Sequence, residues 1–314
     1  MRPSLYMLPF RHWQALICLG LVCATCWPQT QQPYVLKTGT NEVALTFRAE
    51  DGAVRAVDDL QLSDLKLLDN GHAPQRVTLF VHHQQLPVHI AVVLDISPSM
   101  AGGRNPREVA KRLATTAIHD ARDQALVMFF DFEPLLEQDW TSDPKLLDAA
   151  AAKVGGKSRS RLGGTALWDS LYQICRDHVS AQTAGDEAFS SAIVLFTDGI
   201  DNRSHALPDD VVKECQTKQT AIYPFVETGK ERFDNGQKAL RSMAEMTGGR
   251  VFYEQTSTDL QASILQLDSD LRDRYTLVYR PPNLQPDGKF HTIKLSAPQR
   301  PVNFLVRNGY YAEK

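Results

Sequence analysis

At 314 residues the chain is long enough for one large or two modest domains with real cores, and its composition, 43% hydrophobic and 23% charged, is that of an ordinary globular protein. The net charge of −3 argues against a nucleic-acid partner, which would want a basic face, and no run of aromatics with Lys and Arg offsets it.

The N-terminus reads as a secretory signal over residues 1–26. Arg2 and Arg11 precede the uncharged apolar stretch 15–24, which is too short for a comfortable membrane span. The small residues around Ala24-Thr25-Cys26 point to cleavage after Cys26. The alternative is an uncleaved anchor, and only in that form would the chain meet a membrane. Cys23, where a lipoprotein box has Leu, leaves that box only partly matched. The expected location is therefore periplasmic, secreted or at the cell surface. Cleavage leaves two of the five cysteines, Cys175 and Cys215. An oxidising compartment allows them to pair, but spacing does not show whether their Cα atoms lie close enough, and two buried free thiols are the preferred reading.

Residues 27–33 form a polar tether, and residues 34–87 read as β structure. Residues 43–49 alternate, Asp51-Gly52 is a turn, 60–68 is a small helical turn or strand ending at Asp69-Asn70-Gly71, and 77–81 is another strand. His82-His83 reads as exposed polar sequence. Over residues 88–272 strands alternate with helices: strands at 90–94, 125–130, 191–196, 221–226 and 251–253, and helices at 106–121, 166–179, 208–218, 238–246 and 259–271. Residues 135–140 read as an edge strand, and Asp143-Pro144 opens a short helix. Trp168 reads as core. This pattern predicts an α/β fold with a doubly wound, mainly parallel sheet. Residues 273–314 revert to β, with strands at 275–279, 290–295 and 302–306, the last preceding Gly309-Tyr310-Tyr311. Neither β flank buries much alone. Pairing the two flanks into one small β-sandwich solves both problems, and makes the α/β domain an insertion in it.

The chemistry gathers at strand ends. Asp95-Ile96-Ser97-Pro98-Ser99 closes the apolar run 88–94 with one carboxylate and two hydroxyls. Gly163-Gly164-Thr165 offers a third hydroxyl on a Gly-rich loop, and Thr197-Asp198-Gly199 ends the apolar run 193–196 with a second carboxylate. Ligands of open α/β sheets collect outside the carboxyl ends of the strands. Hard oxygens converging there suit Mg²⁺, Mn²⁺ or Ca²⁺ and suit zinc poorly. Ser97 and Ser99 taken alone would read as helix N-caps. Asp201 and Asn202 read as shaping the turn after Gly199. Gly102-Gly103-Arg104 and Arg159 to Arg161 read as the rim, either drawing an acidic partner or simply solvated.

Asp95-x-Ser97-x-Ser99, then Thr165, then Asp198-Gly199, resembles the complete metal-ion-dependent adhesion site of the von Willebrand factor A domain, over residues 88–272. The resemblance implies a divalent cation, Mg²⁺ first, bound directly by Ser97, Ser99 and Thr165, with Asp95 and Asp198 acting partly through water. It implies a protein partner whose Asp or Glu carboxylate completes the shell, and a switch in which Thr165 couples to the last helix. The flanks, with Leu67-Leu68-Asp69-Asn70-Gly71, Asp287-Gly288-Lys289-Phe290 and Gly309-Tyr310-Tyr311, resemble secreted von Willebrand-A-related proteins of Acidobacteria.

An enzyme is not expected. A haloacid dehalogenase-type phosphohydrolase needs an acid two positions after the strand-end Asp, and Ser97 stands there. No Gly-x-Ser-x-Gly elbow is present for a serine hydrolase. The expected function is an exported, metal-dependent, adhesion-type protein-binding module. The alternative is a structural component of a cell-envelope or filament assembly.

Overall fold

The computed structural model describes residues 41–100, 106–119, 121–153, 163–180, 187–227, 235–254, 257–283 and 287–312. The expected signal and tether, and the rim stretches 102–104 and 159–161, lie outside the described residues.

The first flank forms β1 (Val43–Glu50), β2 (Lys66–Asp69) and β3 (Arg76–His83). Then follow β4 (Val88–Asp95), α1 (Pro106–Ala117), β5 (Gln124–Phe130), β6 (Pro134–Thr141), α2 (Pro144–Ala152), α3 (Leu167–Gln173), β7 (Ser190–Phe196), α4 (Pro208–Thr217), β8 (Thr220–Glu227), α5 (Asn235–Thr247), β9 (Phe252–Glu254) and α6 (Ser257–Arg272). The last flank supplies β10 (Arg274–Arg280), β11 (Phe290–Ser296), β12 (Asn303–Leu305) and β13 (Gly309–Tyr311).

The central sheet has the order β6-β5-β4-β7-β8-β9, parallel except for β6, which runs antiparallel along one edge. β4 is buried on both faces, as its unbroken apolar run requires. Ile90, Val92 and Leu94 meet α1, α2 and α6 on one side, where Leu113, Leu147, Ile264 and Leu271 are buried. Ala91 and Val93 meet α3, α4 and α5 on the other, with Leu171, Val211 and Leu240. Trp168 belongs to this second core. Fully burying one such side chain stabilises by roughly 1.5–3 kcal/mol.

The flanks pair with each other. One sheet has the order β12-β1-β10-β3, and the other β13-β11-β2. Leu45, Phe47, Tyr275, Leu277 and Tyr279 face Leu67, Ile293 and Tyr310 across one core. Within that core the Asp69 carboxylate accepts hydrogen bonds from Tyr279 (2.7 Å) and Tyr310 (3.0 Å).

Five local expectations differ from the structure. The helix expected over 106–121 stops at Ala117, because the Asp123 carboxylate takes the N–H of His119 (2.8 Å). The helix expected over 166–179 is α3 followed by a π turn, Ile174–His178, whose Cys175 is joined to Cys215 of α4 by a disulfide. The preferred reading of two free thiols is thus corrected: α3 and α4 pack side by side, and the two Cα atoms lie 5.1 Å apart. Gly309-Tyr310-Tyr311 is itself a strand, paired with β11, where a Cβ on Gly309 would come within 2.4 Å of the His291 carbonyl. His82-His83 is not exposed polar sequence. His83 is buried against Thr276 (3.0 Å), and His82 stacks on Tyr275 while bonding Asp273 (2.6 Å).

The two halves meet across buried charge. On the face of β1 away from the sandwich core, Arg48 pairs with Asp270 of α6 (3.2 Å), and Arg250 bridges Asp270 (2.7 Å) to Glu50. Where the chain returns from α6, Arg272 donates to both oxygens of Asp123 (3.1 and 2.9 Å) and to the carbonyls of Leu86 and Ala117.

Candidate metal centre

The strand order reverses at β4 and β7, so a crevice opens beyond their carboxyl ends. Asp95 closes β4, fully buried, and lies beside Thr197 because Leu94 is in register with Phe196. Its Oδ1 accepts the N–H of Ser97 (2.9 Å), and its Oδ2 accepts the hydroxyl of Thr197 (2.7 Å). Thr197 in turn accepts the N–H of Gly199 (3.1 Å), which fixes the turn carrying Asp198. A 3₁₀ turn, Pro98–Met100, brings Ser99 Oγ within 3.0 Å of Ser97 Oγ. Ser97 is buried and Ser99 exposed, so the pair runs from the floor of the crevice to its surface.

Thr165 arrives from a separate loop strapped to the segment after Asp198. Asn202 accepts the N–H of Thr165 through its side chain (2.9 Å) and donates its own N–H to the Thr165 carbonyl (3.1 Å). Asp201 accepts from Leu167 N–H (2.9 Å) and the Ser204 hydroxyl (2.6 Å). Asp169 accepts the N–H groups of His205 and Ala206. These bonds use the backbone of Thr165 and leave its hydroxyl out. Gly164 has φ 121, and a Cβ there would lie 2.6 Å from the Arg203 side chain, which itself covers the Phe132 ring at 4.1 Å.

The structure thus joins Asp95, Ser97 and Ser99 directly, sets Asp198 on the neighbouring strand end, and ties Thr165 to the loop that follows it. Asp201 and Asn202 shape that loop as expected, and beyond this they clamp the Thr165 segment. The structure adds Thr197 to the site as a hydrogen-bond donor to Asp95, and Asp169, Asp131 and Arg203 around it, none of them among the expected ligands. Thr197 had a signal in its place, a hydroxyl one residue before Asp198. Asp131, whose carbonyl accepts Ala166 N–H (2.7 Å), had none.

The donor set can be tested against a cation. Among the described residues no group of three His, Cys, Asp or Glu converges as a metal cluster; here two carboxylates stand among hydroxyls. Burial pushes the Asp95 carboxyl up to about 6, opposed by its hydrogen bonds from Ser97 and Thr197 and reinforced by the negative charge of Asp198. Neither Asp95 nor Asp198 forms an ion pair with a described residue, whereas buried charge is ordinarily paired or metal-bound. Hard oxygens with uncompensated negative charge fit Mg²⁺, Mn²⁺ or Ca²⁺.

The family model described as the von Willebrand factor type A domain matches residues 89–266. No curated protein matches the chain. Among solved structures, proximal thread matrix protein 1 from the mussel byssus, with a zinc-occupied MIDAS motif, aligns at 17% identity and a TM-score of 0.47, covering 64% of this chain and 49% of that one. BatB from Bacteroides thetaiotaomicron aligns at 16% identity and TM-score 0.45, covering 57% and 97%. The vWF domain of the type V pili tip protein Mfa5 from Porphyromonas gingivalis aligns at 13% and 0.43, covering 59% and 94%. The chain spans about half the length of the byssus protein.

Proposed function

The chain belongs to the von Willebrand factor type A domain family, and on that premise we propose that it is an exported protein-binding module whose binding depends on a divalent metal. Asp95, Ser97, Ser99, Thr165 and Asp198 would hold Mg²⁺, with Mn²⁺ or Ca²⁺ as substitutes. The observation that carries this is the buried Asp95 carboxylate, without a basic partner among the described residues, beside the Ser97–Ser99 hydroxyl pair at the carboxyl end of β4.

The residues divide the work. Asp95 holds the loop through Ser97 N–H and supplies charge from beneath. Ser97 and Ser99 present neutral oxygens, and Thr165 offers a third from the clamped loop. When bound, the cation supplies a Lewis-acidic position that an Asp or Glu carboxylate of a protein partner completes. Nothing in this arrangement provides a general acid two residues from Asp95, and the reading is recognition, not catalysis. The Cys175–Cys215 disulfide supports export, since such bonds persist in oxidising compartments.

Calorimetric titration with Mg²⁺ and Mn²⁺, beside the Ser97→Ala/Ser99→Ala variant, tests the site. Binding by the parent that vanishes in the variant is expected, and would warrant a metal-dependent partner capture. Equal heats in both would refute these ligands.

A further inference from the structure

The joint between the halves carries more positive than negative charge. Four arginines (Arg48, Arg250, Arg274 and Arg307) meet two carboxylates there. Asp270 and Glu50 pair with Arg48 and Arg250. Arg274 and Arg307 are left without a carboxylate among the described residues. Arg274 is 5% exposed and makes a long bond to the Gly248 carbonyl (3.5 Å). Arg307, mostly buried, donates to the carbonyls of Ala44 (2.8 Å) and Gln216 (3.5 Å). Among the described residues the Nε of each has no hydrogen-bond partner. Asp69 is no relief, because its carboxylate is taken by Tyr279 and Tyr310.

Both arginines line one part-open cavity of about 30 Å³, more than one water needs. Thr46, Thr220 and Thr247, with Gln216 and Gln219, supply the other polar residues of the lining. The cavity sits where β8 begins, while the candidate metal centre lies beyond the strands' carboxyl ends. The two are separated by the length of the sheet, roughly 25 Å for an eight-residue strand. Two desolvated cations in one cleft repel each other and are stabilised by an anion that both can reach. Guanidinium groups bind oxyanions through short, charge-assisted and often bidentate hydrogen bonds. Burial already holds the Arg307 guanidinium below its ordinary pKa, the direction expected of an uncompensated cation.

We propose that this cleft is an oxyanion-binding site, in which Arg274 and Arg307 hold a phosphate-sized anion that bridges β1, β8, β10 and the segment before β13. The bound ion would tie the sandwich to the α/β half. The metal centre is not needed for it.

The test is thermal unfolding and calorimetric titration of the full chain with inorganic phosphate, against chloride at the same ionic strength. A saturable rise in Tm with phosphate is expected, with a Kd weakened at least about tenfold in Arg307→Gln, the worth of one charge-assisted hydrogen bond. Gln219→Glu, a near-isosteric change on the cleft lining, should weaken phosphate comparably while raising Tm in chloride by supplying the missing carboxylate. Ser97→Ala/Ser99→Ala should bind phosphate as the parent does. No effect of phosphate beyond chloride, or an undiminished effect in both Arg307→Gln and Gln219→Glu, would overturn the site.

Discussion

Asp95 and Asp123 are both fully buried, at opposite ends of the same parallel sheet, and their surroundings differ in one respect. Asp123 is met by a bidentate guanidinium and two backbone N–H groups. Burial alone would raise its pKa, yet Arg272 and the N–H groups of His119 and Val88 bring it below the ordinary value. Asp95 receives one N–H and one hydroxyl, faces the like charge of Asp198, and titrates above the ordinary range. A paired buried carboxylate is part of the framework. Asp95, with no ion pair among the described residues, is the carboxylate that the proposed cation would compensate. The contrast distinguishes the two roles without reference to sequence motif.

The contrast can be broken most severely at the paired end. Arg272→Ala strands Asp123 in the interior and should destabilise the fold by about 3–5 kcal/mol, read as a lowered urea midpoint. The same pair sets an acid limit. Because the Asp123 pKa is depressed on folding, its contribution is complete above the ordinary value of 3.8 and is lost as pH falls from there through the folded value. Unfolding midpoints followed below about pH 4 should show this loss in the parent and lack it in Asp123→Asn.

Cys175→Ser/Cys215→Ser opens a loop of 40 residues beside the α3–α4 contact and should cost about 2–4 kcal/mol, measured as a fall in Tm without reductant. At the unpaired end the effects pass from stability to binding. Asn202→Ala frees the Thr165 N–H, costs about 1–2 kcal/mol, and should weaken Mg²⁺ binding roughly 10- to 100-fold, as loss of an outer partner does. Asp95→Asn should shift stability by less than about 1 kcal/mol, since no ion pair with a described residue is lost, while abolishing the Mg²⁺ heat. A loss comparable with that of Arg272→Ala would make Asp95 a framework residue after all.

Much of this was legible along the chain, for physical reasons. Strands buried on both faces read as unbroken apolar runs, so β4 and β7 and the carboxylates at their ends stood out. The pairing of the flanks followed from their inability to bury surface separately. Partners far apart in sequence leave no local trace. Arg272 meets Asp123 across 149 residues, and nothing near either marks the pair. Nothing local marks Arg274 and Arg307 as buried, since charged side chains are mostly exposed. The π turn at Ile174–His178 was invisible because widening one turn leaves the apolar spacing of a helix almost unchanged. The three-residue β13 is too short to show alternation, and its glycine is required by the close approach of β11.

Thr46 of β1 and its neighbour Thr276 of β10 lie 230 residues apart. At 5–20 residues per second a ribosome would need roughly 10–50 s to emit the intervening chain. Nearly all of the α/β half therefore emerges while β1 waits with Leu45 and Phe47 uncovered. During that interval the nascent chain carries an unpaired hydrophobic strand, open to other chains as well as to its own future neighbour. Arg48 and Glu50, in the same strand, would then serve as charged guards against premature pairing before they become part of the buried joint.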